Sequence, residues 1–447
     1  MSDPRNAQEL LDFAGNLVEA AWRAGADAAD AVVARGSSVS VSVRLGKVEG
    51  TEASESDDFS LRVFAGKKVA SISASAGSDP TALAERAVAM ARAAPEDEFQ
   101  SLADRENLVR APRDLDLFDA TEVSAAALTE TALAQEAAAL AVAGITNSGG
   151  SSASAGFGGM VLVTSDGFSG HYVGSRFGRG VSVIAGEGTG MERDYEYSSR
   201  IHYAELEDAE TIGRKAAERA VRRLSPRKVK TGPVSVVLDP RVARGFAGHL
   251  AGAINGAAIA RKTSFLKDKM GEQIFPKGMS FTDDPLKVRG SASRPFDGEG
   301  IEGKPMRFVE DGVLKAWTLS TATARELGLT TNGRGVRGGS TVSPSTTNFA
   351  LEPGEMTPEE LIRNIGTGLY VTEVIGHGVN MVTGEYSRGA SGYWIENGEL
   401  TFPVSEITIA GNLKDMFLNL TAANDIDRSF GTAAPTLAIT GMTLAGD

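Results

Sequence analysis

The stretch from Gly366 to Leu413, GTGLYVTEVIGHGVNMVTGEYSRGASGYWIENGELTFPVSEITIAGNL, does most to limit what this chain can fold into. Every few residues a glycine interrupts a short run of Val, Ile, Thr, Tyr or Phe. β-Branched and aromatic side chains suit a pleated, half-buried surface and glycine supplies turns, so consecutive short strands with tight connections are expected. Into those turns the sequence places Glu373, His377, Glu385, Tyr386, Arg388, Asn397 and Glu406. Polar groups on short loops over a rigid sheet make a binding surface. The plain alternative is a β-rich core whose polar residues simply face water.

At 447 residues the chain exceeds one ordinary core, and two or three domains are expected. No apolar run approaches the ~18 residues that span a bilayer. The start, MSDPRNAQELLDFAGNLVEAAW, mixes acids with apolar residues and has no basic segment leading an uninterrupted apolar one. That excludes a signal peptide and points to a cytoplasmic protein without membrane contact. Cysteine is absent, which removes disulfides, thiolate nucleophiles and Cys-ligated zinc together. Four histidines, at 171, 202, 249 and 377, leave little for metal chemistry. A formal charge of -13 argues against direct nucleic-acid binding, because phosphate contacts need a basic footprint.

Helical spacing of Leu10, Leu11, Phe13, Ala14, Leu17, Val18, Ala21 and Trp22 predicts a first helix, capped by Asp3, with Pro4 in its first turn and Gly25 closing it. Strands follow at 30–34, at 38–44 with valines on one face and serines on the other, and at 59–65 and 69–76 around the turn Gly66-Lys67-Lys68. Ser78-Asp79-Pro80 opens a helix running to about Ala93. Residues 94–119 read as a connector, and 124–143 as an alanine-rich helix capped by Ser124. TNSGGSSASA at 146–155 is expected to be a flexible polar loop. Strands at 160–164, 171–176 and 180–185 precede a helix from about Glu207 to Leu224. After a boundary at 224–228 come an apolar strand at 234–238, a helix at 240–260, and a Gly-rich remainder with one helix near 358–365. The fold class is therefore α+β: an N-terminal α+β part with mixed sheet and helices, divided into 1–115 and 116–228, followed by a β-rich C-terminal domain, 229–447.

Catalytic templates fail one by one. No His-Glu-x-x-His occurs, no Gly-x-Ser-x-Gly elbow and no Walker-type Gly-Lys-Ser/Thr. The run 333–338 matches Gly-x-Gly-x-x-Gly, but no strand leads into it and no helix opens after it, so a mobile basic loop is expected instead of a nucleotide site. MERDYEY at 191 is expected to form a salt-bridged surface strand.

Longer words identify the chain as similar to a known family. MERDYEY at 191, RLSPRK at 223, RKTSFLKDKMGEQI at 261, RPFDGEG at 294, GTGLYVTEVIGHGVN at 366, TGEYSRGASGYWIENGE at 383 and PVSEITIAGNLKDM at 403 resemble the PmbA/TldE branch of the TldD/PmbA family. Its members were first labelled modulators of DNA gyrase and are understood as subunits of a two-protein metalloprotease. The TldD kind carries a His-Glu-x-x-x-His helix completed by a cysteine near the C-terminus. Here the matching segment is 244–253, and Ala247, Gly248 and Gly252 fall where the first histidine, the glutamate and the second histidine would stand. The tail NDIDRSFGTAAP at 424 offers no thiolate.

The resemblance therefore implies a chain with no catalytic, cofactor or metal-binding residues of its own, inactive alone. It would pair with a TldD-type subunit that holds the zinc and enclose a cleft for unfolded or flexible peptides, with leader trimming of a peptide toxin or antitoxin degradation as the implied tasks. Glu373, His377, Tyr386 and Arg388 are the candidate peptide or partner contacts. A stand-alone peptide-binding or chaperone-like homodimer is the alternative, and a hydrolase using His377 with Glu373 or Glu385 a third reading.

Overall fold

The computed structural model describes residues 7–75, 78–338 and 341–447. The expected cap Asp3, Pro4 and the strand end at Ala76 lie outside the described residues. The first helix, α1 (Gln8–Arg23), buries Ala14, Leu17, Val18 and Ala21. Trp22, expected on that apolar stripe, is instead 72% exposed. Gly25 follows at φ +92, a conformation that glycine adopts without strain.

Strands β1 (Ala28–Arg44), β2 (Lys47–Ala65), β3 (Lys68–Ser75), β4 (Ile145–Thr164), β5 (Ser169–Ala185) and β6 (Glu192–Arg200) form one sheet in the order β3-β2-β1-β4-β5-β6. Neighbours pair antiparallel throughout. The segments expected as separate strands at 30–34 and 38–44 are one strand, as are 171–176 and 180–185. Pairing on both sides carries the backbone through the intervening glycines and serines.

TNSGGSSASA is not a loop. It forms the first half of β4, between β1 and β5. Its low strand propensity is overridden by what lies above it: the alanine-rich α3 (Ala125–Leu140), capped by Ser124, approaches the small side chains closely. Gln135 on α3 is fully buried, and its Nε2 donates to Ser151 Oγ at 2.8 Å and to the Ser152 carbonyl at 3.1 Å.

Alternation along β1 divides the sheet's two faces. Ala29, Ala31 and Val33 pack with α1 and with α2 (Pro80–Ala93), while Val41 and Val43 pack with α3. Val32 faces the opposite side and joins Leu162, Phe168 and Phe296, so the second face carries the C-terminal half of the chain. The Asp79 carboxylate caps α2 by accepting from the Thr81 and Ala82 amides, as the Ser-Asp-Pro signal predicts.

α4 (Ala209–Arg222) crosses α3 at Gly213, where an added Cβ would run into the Gln135 carbonyl oxygen and lie 3.0 Å from Ala138 Cβ. Gly213→Ala is expected to destabilise the protein by about 1–3 kcal/mol through overpacking, against a gain of about 1 kcal/mol from helix propensity at an open position. A shift of the urea midpoint to lower concentration checks the sign.

The C-terminal half adds β7 (Gly232–Leu238), β8 (Phe281–Asp283), β9 (Met306–Glu310), β10 (Val313–Leu314), β11 (Gly335–Gly338), β12 (Thr341–Pro344) and β13 (Phe349–Leu351). Then come β14 (Gly368–Ile375), β15 (Glu385–Glu396), β16 (Glu399–Asn412), β17 (Leu420–Ala422), β18 (Thr432–Ala433) and β19 (Leu437–Ala445). One sheet runs β16-β15-β14-β7-β19-β17, and a further β16–β19 pairing partly closes it into a barrel. The smaller sheet runs β10-β9-β8-β13-β18. The expected helix at 240–260 is split by the cap Asn255 into α5 (Pro240–Ala253) and α6 (Gly256–Ala260). Short helices α7 (Thr321–Glu326) and α9 (Leu413–Leu418) were not foreseen, whereas α8 (Pro358–Ile365) was. The fold is α+β with a β-rich C-terminal region.

The run 333–338 is no mobile basic loop. Arg334 is wholly buried and pairs with Asp283, while Gly335–Gly338 is strand β11. Arg337 reaches across to the N-terminal sheet and pairs with Asp30, which also accepts from Arg62 at 2.5 Å. Among the described residues no helix is long and apolar enough to cross a membrane.

Candidate functional site

The site begins at the turn from β7 into α5. The Asp239 carboxylate accepts the Arg241 amide at 2.9 Å and Pro240 occupies the first turn, so the helix starts firmly against the sheet. Val242, Ala243, Phe246, Ala247 and Leu250 point into the core. Gly245, Gly248 and Gly252 lie on the opposite, exposed face. A Cβ added at Gly245 or Gly248 would meet nothing within 4 Å, so open space stands above this face.

At Gly245 that space is a hollow of about 350 Å³ between α5, β6, β14 and β15. Arg193 and Tyr195 enter from β6, Glu373 from β14, Tyr386 and Arg388 from β15, and His249 from α5. Three of the four expected contact residues therefore meet here, although on strands: Glu373, Tyr386 and Arg388 are strand residues, as is Glu385. His377 lies outside, exposed on the loop after β14, in an adjoining hollow of about 550 Å³ that shares Tyr386. Asn397 is a true turn residue, and Glu406 bends β16 at φ 55.

A buried ion network forms the floor of the hollow and joins the two halves of the chain. Asp194 on β6, only 3% exposed, accepts Arg241 Nη1 at 3.0 Å and Arg223 Nη1 at 3.4 Å. Arg223 also donates to Glu373 at 2.8 Å and to Ser391 Oγ at 2.8 Å. MERDYEY is thus a salt-bridged strand, as expected, but its inward residues are buried between domains instead of lying on a free surface. Burial works against the charge of both arginines, yet Asp194 and Glu373 hold their pKa values above the ordinary range. Burial raises that of Glu192, with Arg223 opposing it. Glu373 is committed to this network, and among the described residues no hydrogen bond or ion pair joins His377 to Glu373 or Glu385.

Different physics governs the rim. Burial, reinforced by Arg388, lowers the His249 pKa to about 4, so the ring is neutral at physiological pH. It stands edge-on to Tyr386, centroids 5.9 Å apart. Burial pushes the Tyr386 hydroxyl up to about 12, Arg388 opposing, and it remains protonated. Arg388 donates Nε–H to the Ile375 carbonyl at 3.3 Å and has no carboxylate partner among the described residues.

Profile and structure comparisons agree with this architecture along nearly the whole chain. Residues 231–446 match the model described as the PmbA/TldA metallopeptidase C-terminal domain, 118–224 its central domain and 29–91 its domain 1. The chain belongs to the PmbA/TldD metallopeptidase family. The family's "Metalloprotease PmbA" from Escherichia coli is 38% identical over 94% of this chain and 92% of its own length. A Bacteroides thetaiotaomicron crystal structure, named as a candidate modulator of DNA gyrase, superposes with a TM-score of 0.90 at 28% identity over 98% of this chain and 99% of its own. TldE from Thermococcus kodakarensis shares the fold, with a TM-score of 0.84 at 20% identity over 97% and 99% of the two chains.

A metallopeptidase family implies a metal, and the residues present do not fit one. Among the described residues no group of three or more His, Asp or Glu side chains could hold an ion. On α5 the lone imidazole, His249, has Tyr386 and Arg388 as its side-chain neighbours across the hollow, neither a zinc ligand set. The residues that sequence reasoning missed are Arg223 and Arg241, whose partners stand far away along the chain; Asp194 lies in the charged run MERDYEY, but its partners were not legible.

Proposed function

We propose that this chain is the metal-free subunit of a heteromeric peptidase, contributing a peptide-holding surface to a cleft whose zinc sits in a TldD-type partner. The observation that carries the reading is the α5 face: where a zinc helix would present ligands, Ala247 points inward, Gly248 lies exposed beneath open space and Gly252 lies exposed beside Met381. Arg388, without a carboxylate partner, and neutral His249 and Tyr386 offer a peptide one cationic and two polar anchors. Glu373 acts as a positioning residue through Arg223, and His377 extends the surface.

The pure chain is expected to hold no stoichiometric zinc and to cleave no unfolded casein, with chelator-sensitive cleavage appearing when a TldD-type subunit is added. Stoichiometric zinc with cleavage by the chain alone would sink the reading. Gly245→Trp fills the hollow from an open position that lines it. It is expected to lower cleavage by the reconstituted pair at least about tenfold, with the melting midpoint unchanged; equal activity would remove the hollow from the cleft.

A further inference from the structure

β2 is covered along only half its length. Asp58 to Ala65 pair with β3, and this half buries Phe59, Leu61, Val63 and Phe64. From Lys47 to Asp57 the strand pairs with β1 on one side and, among the described residues, with nothing on the other. All these residues are exposed except Gly50 and Asp57, which are half-buried.

This bare edge is nonetheless rigid. β1 beneath it is itself paired with β4 from Val43 back to Asp30. At the tip, the Glu136 carboxylate accepts the Leu45 and Gly46 amides at 2.9 and 2.8 Å and holds the turn. Arg35 makes two hydrogen bonds to Asp57, at 2.9 and 2.7 Å, and fixes the other end. An edge so held presents a row of unpaired amides and carbonyls already in strand geometry, the template used when one chain adds a strand to another.

The side chains select the kind of strand. Glu49, Glu52 and Glu55 have no cationic partner among the described residues, and the facing stretch of β1 offers Ser and Val. If two copies paired antiparallel about Glu52, Glu49 would face Glu55 and Glu52 its own counterpart, and like charges directly opposite are destabilising. A strand carrying Lys or Arg at the facing positions would instead gain at each.

We propose that the β2 edge between Lys47 and Asp57 is a docking strand for a separate subunit whose own edge strand is basic, and that its charge disfavours pairing with a second copy of this chain. The proposal rests on the heteromeric reading above and names the surface through which assembly occurs.

A basic-edged partner can be made from the protein itself. The E49K/E52K/E55K variant, mixed with wild-type chain, is expected to form a 1:1 pairing through β2. Sedimentation velocity reads the complex, which raising the salt from ~0.05 to ~0.5 M weakens at least about tenfold. Hydrogen exchange at residues 47–57 is expected to slow at least about tenfold in the mixture and in neither protein alone. Proline at Ala53 and, separately, at Ser54 in the wild-type member gives a check independent of charge: adjacent residues alternate their outward amides, so one of the two is expected to abolish pairing. No protection at 47–57 in the mixture, or protection already present in wild-type chain alone, would overturn the proposal. Neither outcome depends on peptidase activity, so failure of this pairing is distinct from failure of the earlier reading, which zinc content and cleavage by the single chain decide.

Discussion

Arg334→Met is expected to cost the folded state about 3–5 kcal/mol, the largest loss from any single change considered for this chain. Arg334 is wholly buried, and its Nε donates to Asp283 Oδ2 at 2.6 Å. Its other nitrogens donate to the carbonyls of Asn332 and Lys304, each at 2.8 Å. Burial depresses the pKa of the guanidinium and Asp283 opposes that effect. Methionine matches the stem and removes the charge, leaving Asp283 in the interior with only the Thr347 amide and hydroxyl as donors. Paired replacement, Asp283→Asn with Arg334→Met, is expected to recover at least about 1 kcal/mol, because the uncompensated charge goes with its partner. Urea unfolding of the two single variants and the double variant measures this coupling; a loss below about 1 kcal/mol for Arg334→Met would show that the pair does not hold this region together.

That arginine also shows where sequence reasoning stops. Glycines at 333, 335 and 338 around two arginines look like a solvated loop, and nothing local announces that Asp283 lies against Arg334 or Asp30 against Arg337. The Gly/Ser run in β4 misleads for the same reason: its strand character comes from neighbours on both sides and from small side chains beneath α3. Some local chemistry was legible, although the caps Asn255 and Ser320 were not. Asp79 and Ser124 cap helices within a few residues of themselves, and Gly66 closes a hairpin whose register follows directly.

The candidate site divides along the same line. Glu373, Tyr386 and Arg388 stand out because a glycine-punctuated sheet must present its polar residues somewhere, and β14 and β15 are neighbours. Arg223 and Arg241 did not stand out. Arg223 follows the end of α4 and Arg241 lies in α5, in different halves of the chain, and only packing brings both onto Asp194. His377 was legible as exposed and polar, but the bend after β14 takes it to the adjoining hollow.

Between pH 7 and 4 two buried groups are expected to pull stability in opposite directions, so the wild-type chain changes little while single variants expose the slopes. Burial and then Arg388 lower the His249 pKa to about 4. As pH falls below about 6.5 the unfolded imidazole takes a proton that the folded one refuses, so stability drops across about 6.5 to 4, by at most about 3 kcal/mol. Glu299 lies wholly buried beside Asp297, and burial followed by that neighbouring carboxylate raises its pKa to about 7. The folded state then binds the proton first: this contribution is present below about 4.5 and is lost as pH rises through about 7, again by at most about 3 kcal/mol. Asp297, raised by burial, acts in the same sense, while Arg62 resists it at Glu299. His249→Gln is therefore expected to gain stability as pH falls from 7 to 4.5, and Glu299→Gln to lose it from 6.5 to 4, each read from urea midpoints at three pH values. Parallel slopes in wild type and both variants would show that neither group titrates as its surroundings dictate. Its consequence for the hollow follows from the same low value: His249 carries no charge at neutral pH, and of the lining arginines Arg193 and Arg241 are paired with Glu373 and Asp194, which among the described residues leaves Arg388 as the cation free to meet a peptide carboxylate.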